Sequence, residues 1–434
     1  MSAAHPRKVD MADLLSDTEK IDAATIDTGK IDADKIDAEN IDANASRTFA
    51  GHRLTSGVFV AFIMLFAFVS AFYPDREYSP MENRYLAMKP TLTAGRFLNG
   101  EYMRDFEEYR ADQFPLRDFW VSFKALCQKL SGQKENNGVY FAADDYLIGK
   151  PLAFDTAVTE RNLASALALS AKGYDAALMV IPMASDILRD KLPAMAFEPG
   201  QAESLDKLRR DAGGMFIDIR PALIAKTIAG EQIFFRTDHH WTVAGAFEAY
   251  RAYMDRLGVA PVDREAFTER IVSEDFYGTL WSKNSLPTIP ADKIAVYEPV
   301  ADNGQAYEVE YFDGSSVWKN SSVYHPEFLE QKDKYAYFLG QNRPLVVIRD
   351  LSGGNTGLGK LLIFKDSYAH SLAPFLAPHF DEIHLMDLRY YKQDPIAYME
   401  EHDIKRALLL YNADSFGTER SISQIGAYLA ARKP

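Results

Sequence analysis

The most restrictive feature of this chain is an uncharged, almost wholly apolar run at residues 54–73, LTSGVFVAFIMLFAFVSAFY. A helix of this length spans about 30 Å, which matches the hydrocarbon core of one bilayer. A buried helix of a soluble protein would usually carry a polar face, and a cleaved signal peptide would lie nearer the start with a shorter apolar core. The run therefore predicts one transmembrane helix.

The residues that flank this helix favour one orientation. Basic side chains precede it, at Arg47, His52 and Arg53. The residues that follow it have mixed charge, at Asp75, Arg76 and Glu77. Because cytoplasmic flanks carry an excess of Lys and Arg, we expect a cytoplasmic N-terminus and an extracytoplasmic main domain, either periplasmic or at the cell surface.

Residues 1–53 form a separate segment in which the pair Ile-Asp recurs every five residues. The isoleucines of the repeat are Ile21, Ile26, Ile31, Ile36 and Ile41. A period of five suits neither a helix nor a strand, and one isoleucine per repeat buries too little apolar surface to offset chain ordering. We expect a disordered acidic tail, with a short partner-binding motif as the alternative.

Composition excludes several classes of function. The formal charge is −14, and an acidic chain repels nucleic-acid phosphates, so no nucleic-acid partner is expected. Cys127 is the single cysteine, which excludes internal disulfides and cysteine-rich zinc sites. Its helix-like surroundings predict a core residue rather than a nucleophile.

Residues 80–434 have the pattern of one α/β domain. Short apolar runs suited to buried strands lie at 176–182, 344–350, 361–367, 383–389 and 407–413. Helix-like stretches separate several of them, and such strands are typical of a parallel sheet that is covered on both faces. The residues from about 260 to 340 are less regular and predict an insertion or a long loop region.

A serine follows directly on one of these strands, in LLIFKDSYAHSLAPFLAPHF at residues 361–380. Ligands of open α/β sheets bind beyond the carboxyl ends of the strands. Ser367 would lie there at a helix N-terminus, where free N–H groups favour a developing negative charge. The position suits a nucleophile, although a helix N-cap formed by Ser367 or Asp366 gives the same pattern.

The stretch RTDHHWTVAG at residues 236–245 is the second chemical candidate. If it is extended, Asp238 and His240 point the same way, so the carboxylate orients the imidazole as a base. His239 would then point elsewhere, and Trp241 would pack. Two alternatives remain: a metal site formed by the acid and both histidines, and a histidine pair with a structural role. Adjacent ligands rarely converge on one ion, so neither a metal nor a cofactor is expected.

These two stretches together resemble the DHHW protein family, and are similar to SGNH-hydrolase-like domains of alginate-type polysaccharide O-acetyltransferases. Further matching pieces are MENRYLA, DQFPLRDFW (112–120), YGTLWSK (277–283) and DLRYY (387–391). The resemblance runs over most of residues 75–434. It implies a three-layer sandwich with a mostly parallel sheet, and a triad of Ser367 as nucleophile, His240 as base and Asp238 as its orienting acid. Trp241 and Asp366 would support it.

The sequence departs from ordinary SGNH enzymes before the Asp-Ser pair, where Lys365 replaces a glycine. The Ser367 backbone N–H is one candidate donor to an oxyanion. Arg389, Tyr390 and Asn412, at the ends of later strands, are candidates for a second donor or for substrate binding.

The resemblance implies membrane-anchored, extracytoplasmic transfer of an acyl group, with acetyl favoured, to a cell-surface or secreted polysaccharide. It also implies a membrane-bound O-acyltransferase as partner. The alternatives are a non-catalytic glycan-binding or scaffold partner of such an acyltransferase, and a carbohydrate esterase. A metal-dependent phosphoesterase is disfavoured because the further aspartates of that family, also called DHH, are not found.

Overall fold

The computed structural model describes residues 53–70, 72–197, 200–300, 304, 306–352 and 357–432, and divides the chain into Met1–Tyr73 and Pro74–Pro434. In the first unit, the helix Arg53–Ser70 is long and apolar enough to cross a membrane, and nearly all of it is exposed. It coincides with most of the predicted span at residues 54–73. The predicted tail and its five-residue repeat lie outside the described residues, except for Arg53.

The second unit alternates strands and helices along most of its length. Its strands are β1 Tyr78–Ser79, β2 Arg84–Tyr85, β3 Glu135–Asn136, β4 Val139–Phe141, β5 Leu147–Gly149, β6 Asp175–Ile181, β7 Phe267–Phe276, β8 Asp292–Pro299, β9 Tyr307–Phe312, β10 Val317–Asn320, β11 Leu345–Asp350, β12 Lys360–Lys365, β13 Glu382–Met386 and β14 Arg406–Asn412. Its α-helices are α1 Ala94–Leu98, α2 Glu101–Asp112, α3 Arg117–Leu130, α4 Thr156–Ala171, α5 Ala184–Ile187, α6 Gln201–Ala212, α7 Arg220–Ile228, α8 Val243–Arg256, α9 Thr279–Asn284, α10 Ala369–Leu376, α11 Pro395–Glu401, α12 Ala413–Thr418 and α13 Gln424–Ala431.

A seven-stranded sheet, in the order β10-β9-β11-β13-β12-β14-β6, forms the centre of this unit. Strands β13, β12, β14 and β6 pair in parallel, whereas the pairings β10-β9, β9-β11 and β11-β13 are antiparallel. The expectation of a mostly parallel sheet is therefore not confirmed, because the sheet is mixed. The antiparallel half of the sheet includes β9 and β10, which lie in the region from about 260 to 340 where the sequence pattern is less regular. Strand β9 buries alternate residues, as antiparallel strands with one covered face do.

Helices cover both faces of the sheet, which gives three layers. Along β12, Leu361 and Ile363 join the core beneath α8 and α10, whereas Leu362 and Phe364 join the core beneath α4, α6, α11 and α13. Successive strand residues point to opposite faces, so one apolar run supplies both cores. This explains why β6, β12 and β14 carry apolar residues at successive positions.

The outer elements include one departure from the sequence prediction. Cys127 lies on α3 and is exposed, so the prediction of a core cysteine is wrong. The physical reason is that α3 is a surface helix, in which Ala125 is the one residue that is fully buried. Strands β4 and β5 pair as a hairpin close to the site described below.

The parallel strands position the functional residues. Because β6, β12 and β14 run in the same direction, their carboxyl ends meet at one edge of the sheet. The residues that follow these ends include Met183, Ser367 and Asp414. This edge is where the sequence analysis placed the serine.

Candidate active site

His240 bridges Ser367 and Asp238 at the carboxyl edge of the sheet. Its Nδ1 lies 2.6 Å from Asp238 Oδ1, and its Nε2 lies 2.7 Å from Ser367 Oγ. An ionised carboxylate accepts only, so Nδ1–H donates to Asp238 and Nε2 is left to accept the Ser367 hydroxyl proton. Asp238 and His240 are buried and Ser367 is partly exposed, so the nucleophile candidate is accessible while the other two groups are shielded.

The DHHW loop reaches this geometry through a tight turn rather than the extended backbone that the sequence analysis assumed. Residues 236–240 form consecutive bends, closed by a bridge between Phe234 and Trp241. Asp238 Oδ1 also accepts the His240 backbone N–H at 3.0 Å. Asp residues favour such a bond to the backbone two positions on. Helix α8 then begins after Thr242.

Asp292, at the start of β8, stabilises this loop through hydrogen bonds. Its carboxylate accepts the backbone N–H groups of Arg236 (3.0 Å) and Thr237 (2.7 Å), the Thr237 hydroxyl (2.7 Å) and the Gln232 amide (2.8 Å). Burial raises the pKa of Asp292, and these bonds partly offset that effect. A buried carboxylate needs such donors, since leaving its oxygens unpaired costs free energy. Sequence reasoning missed this residue because it lies more than 50 positions from the loop it holds.

The segment YGTLWSK (277–283) binds Oδ2, the second carboxylate oxygen of Asp238. Asp238 Oδ2 accepts the Thr279 backbone N–H at 2.7 Å and the Thr279 hydroxyl at 3.0 Å. The Gly278 N–H donates to Thr237 Oγ1 at 3.1 Å. A Cβ built on Gly278 would lie 2.6 Å from Asp238 Cγ, far inside normal contact. Only glycine lets the backbone approach the carboxylate this closely.

Two rings contact the His240 imidazole. The Tyr335 ring stacks on it at 3.8 Å with an interplanar angle of 7°, and the His239 ring lies 3.9 Å away. The Tyr335 hydroxyl donates to Ser367 O at 3.3 Å, which ties the stacked ring to the serine turn. Trp241 is fully buried, and its Nε1–H donates to Ser371 Oγ at 2.9 Å. Trp241 packs as expected. The contact between Tyr335 and His240 was not predicted, because Tyr335 lies in the region from about 260 to 340, where the sequence pattern is irregular.

Charges at the site favour an ionised acid and a neutral base. Burial alone would raise the pKa of Asp238, but the imidazoles of His239 and His240 outweigh it and hold that pKa well below its usual range. Burial, together with the neighbouring His239, lowers the pKa of His240 to about 4. A histidine with that pKa is neutral at pH 7, which is the form that accepts a proton.

The residues before the serine support its turn. Asp366 Oδ2 accepts the Asn412 backbone N–H at 2.7 Å and its side-chain amide at 2.9 Å, which ties β12 to β14. Lys365 is buried, with its Nζ 2.6 Å from His370 Nε2 and 3.2 Å from Asn342 Oδ1, and burial lowers its pKa to about 8. Lys365, which replaces the glycine of ordinary SGNH enzymes, therefore packs into a polar cluster separate from Ser367, His240 and Asp238.

The candidate oxyanion donors differ in what they already bind. No acceptor is found for the Ser367 backbone N–H among the described residues. Asn412 uses its amide on Asp366, but an amide has a second N–H to donate. Arg389 binds Asp387 through Nε at 2.9 Å and Nη2 at 2.6 Å, and no described contact joins Arg389 or the exposed Tyr390 to Ser367. The geometry thus favours Ser367 N–H and Asn412.

The same loop offers a possible metal donor set. Asp238, His239 and His240 each present one ligand atom within 4.8 Å of the others. Both ring nitrogens of His240 and both oxygens of Asp238 already have hydrogen-bond partners, and His239 Nδ1 lies 2.6 Å from Thr279 Oγ1. An ion would have to displace these bonds, so the donor set fits a hydrogen-bonded chain better than a metal.

The fold and the site together define an α/β protein with a serine, a histidine and an aspartate in one hydrogen-bonded chain at the carboxyl edge of its sheet. The family model described as DHHW protein matches residues 137–386, more than half of the sequence. The chain belongs to the DHHW protein family. The match leaves out β1, β2, β3, α1, α2 and α3, which precede it, and β14, α11, α12 and α13, which follow it.

Two solved structures with TM-scores above 0.5 share this fold. A DHHW family protein from Eubacterium siraeum DSM 15702 is 22% identical with a TM-score of 0.56, over 68% of this chain and 96% of that one. PatB1 of Bacillus cereus, solved with a sulfonyl adduct, is 20% identical with a TM-score of 0.55, over 65% and 98% of the two chains. The O-acetyltransferase domain of Pseudomonas putida AlgJ is 17% identical with a TM-score of 0.41, over 68% and 99%. No curated protein matches this sequence.

Proposed function

We propose that this protein transfers an acyl group, acetyl in the first instance, to a hydroxyl of a cell-surface or secreted polysaccharide. The observation that carries the proposal is His240, which lies within hydrogen-bond distance of both Ser367 Oγ and Asp238 Oδ1. That is the arrangement a serine nucleophile needs, because the base must reach the hydroxyl proton while a third group orients the base.

The transfer proceeds in two steps. Ser367 Oγ attacks the carbonyl carbon of the donor, its proton passes to His240 Nε2, and the donor's leaving group departs with that proton. The acceptor hydroxyl then attacks the acyl-serine, gives its proton to His240, and the proton returns to Ser367 as the ester bond breaks. The free Ser367 N–H and the Asn412 amide supply the donors to the oxyanion in both steps.

The membrane helix and the partner complete the proposal. The apolar helix Arg53–Ser70 anchors the domain, with the N-terminus cytoplasmic and the domain outside. A membrane-bound O-acyltransferase brings the acyl group across the bilayer, as the family resemblance implies. Transfer to water at the same site would make the protein an esterase.

An acyl-enzyme experiment tests the function. Full-length protein incubated with 4-nitrophenyl acetate is expected to release nitrophenol in a burst and to gain one acetyl group on the peptide that contains Ser367, found by mass spectrometry. An adduct on another residue, or no burst, would contradict the proposal and favour the non-catalytic scaffold.

The same preparation tests the membrane anchor, since the chain should stay in the membrane pellet after an alkaline carbonate wash.

The pH dependence follows from the lowered pKa of His240. Only the neutral imidazole can accept the Ser367 proton, so kcat/KM rises as the pH rises through the pKa of the free protein. Since that pKa is lowered to about 4, activity should already be level near pH 6, where an ordinary histidine is still mostly protonated. Ester hydrolysis measured from about pH 4 to about pH 8 checks this, with circular dichroism as a control for folding. An inflection at or above the ordinary histidine value would show that His240 is not held neutral.

A further inference from the structure

An open cavity of about 450 Å³ lies beside the candidate active site. It is bordered by the β4–β5 hairpin, by α9 and by the residues that follow β14, so it lies at the edge where the parallel strands end. Polar and charged side chains in its wall include His239, Asn412, Asp414, Lys150, Lys283 and Glu419. Its volume is that of a site for a ligand of several sugar-sized groups.

Two wall residues connect this cavity to the reacting groups. His239 precedes the base in the chain, and its ring lies 3.9 Å from the His240 ring. Asn412 binds Asp366, the residue before Ser367. A ligand in the cavity therefore contacts residues that are next to the base in the chain or bound to the residue before the serine.

The hydrogen bonds of Thr279 fix which nitrogen His239 presents to the cavity. The Thr279 hydroxyl lies 3.0 Å from Asp238 Oδ2 and 2.6 Å from His239 Nδ1. Asp238 only accepts, so the single hydroxyl proton goes to the carboxylate and His239 Nδ1–H donates to the hydroxyl oxygen. His239 Nε2 has no partner in the described part of the chain, and this side chain is one-third exposed and borders the cavity. Burial lowers the pKa of His239, but the Asp238 carboxylate outweighs it and raises that pKa, so Nε2 accepts from a hydroxyl in the neutral ring and donates to one in the charged ring. This differs from the expectation that His239 points away from the chemistry.

Asp414 supplies an acceptor to the same cavity. Asp414 Oδ1 receives the Leu152 backbone N–H at 3.1 Å and the Gln201 amide at 3.3 Å, and its Oδ2 has no bond in the described part of the chain. Lys150 and Lys283 contribute two positive charges to the wall, and Asp414 and Glu419 contribute two negative charges. The balance of donors and acceptors suits hydroxyl groups, and the balance of charge gives no net attraction for a polyanion.

We propose that this cavity is the acceptor site, that it takes an uncharged polyhydroxylic chain, and that His239 Nε2 and Asp414 bind hydroxyls next to the one that is acylated. The inference rests on the proposed acyl transfer and adds the acceptor class and two acceptor-binding residues. His239 acts as a binding residue here, because the proton of the reacting hydroxyl goes to His240.

The test uses full-length protein in detergent, 4-nitrophenyl acetate as donor and cellopentaose as acceptor. The quantity measured is the ratio of acetyl groups on cellopentaose to free acetate, which cancels any change in the rate of acylation. His239→Asn keeps a donor at the position of Nδ1 and loses Nε2, whereas His239→Gln places an amide near Nε2. We expect the ratio to fall at least about tenfold in His239→Asn and Asp414→Ala, and to recover in part in His239→Gln.

Three outcomes separate this inference from the function on which it rests. A transfer ratio in His239→Asn equal to that of wild-type protein would overturn the acceptor-binding role of His239. A ratio closer to wild type in His239→Asn than in His239→Gln would do the same. Either result would assign His239 to the Thr279 contact alone. Better transfer to pentagalacturonate than to cellopentaose would overturn the uncharged class. If wild-type protein forms no acyl-enzyme but binds cellopentaose in calorimetry, and His239→Asn weakens that binding, the acyl-transfer proposal fails and the site stands.

Discussion

Replacing Ser367 with alanine is expected to abolish ester hydrolysis and acyl transfer, with a fall in kcat/KM on the order of 10⁴-fold or more. The reason is that Ser367 Oγ is the atom that His240 Nε2 reaches at 2.7 Å, and no other hydroxyl is described in contact with that nitrogen. The protein should remain folded, with a change in free energy of unfolding of about 1 kcal/mol or less, because the hydroxyl makes one bond and is partly exposed. Initial rates on 4-nitrophenyl acetate and a thermal melt measure both effects.

Ser371 offers a matched control on the same segment. Its Oγ accepts the Trp241 Nε1–H at 2.9 Å and lies 3.1 Å from the Tyr335 hydroxyl, but it does not contact His240. Ser371→Ala should cost about 1–2 kcal/mol of stability by leaving buried donors with fewer partners. Its kcat/KM should stay within about tenfold of the wild-type value. Activity that survives Ser367→Ala, or is lost equally in both variants, would remove Ser367 from the reaction.

The residues proposed for chemistry could be predicted because their signals are local. Ser367 follows an unbroken apolar strand, and Asp238 and His240 lie two positions apart. The conformation of the loop was not predicted, since a tight turn and an extended strand both place these two side chains together. What decides between them is the bond from Asp238 Oδ1 to the His240 backbone N–H, which no periodicity reports.

The residues that support the site could not be predicted, because they come from distant parts of the chain. Asp292, Thr279 and Tyr335 act on the loop or the base across separations of 40 to 100 residues. All three belong to the region near 260–340, where many aromatics and prolines hide the period of β7, β8 and β9. The same region supplies β9 and β10 of the antiparallel half of the sheet. The third antiparallel pairing joins β11 and β13, two strands whose apolar runs do not report direction.

Lys365 stands before the Asp-Ser pair, where ordinary SGNH enzymes carry a glycine. In the structure, Lys365 binds His370 and Asn342 on the buried side, and its charge lies 3.9 Å from Asp387. No acceptor for the Ser367 backbone N–H is found in the described part of the chain, so a lysine at position 365 leaves this N–H available to an oxyanion. Loss of glycine at this position therefore gives no argument against an oxyanion site.

Gly278→Ala is expected to reduce activity strongly although Gly278 is not among the residues that line the proposed acceptor cavity. The added Cβ would lie 2.6 Å from Asp238 Cγ, and a contact this short forces either the carboxylate or the 278–279 backbone to move. Movement of about 1 Å in a supporting group can cost about 100-fold in rate, and overpacking a buried site costs about 1–3 kcal/mol of stability. We expect a fall in kcat/KM of about 100-fold together with a lowered melting temperature.

Gly95→Ala is the matched control, because a Cβ at Gly95 meets nothing within 4 Å and that glycine lies in the short helix α1. It should leave activity unchanged and stabilise slightly, since alanine is the better helix former. A Gly278→Ala protein that melts lower but keeps wild-type kcat/KM would show that strain spreads away from Asp238 and that the carboxylate position is not what the rate depends on. A loss of rate at an unchanged melting temperature would place the effect on the orientation of Asp238, since this carboxylate holds the Nδ1 proton of His240 and thereby keeps Nε2 turned to Ser367.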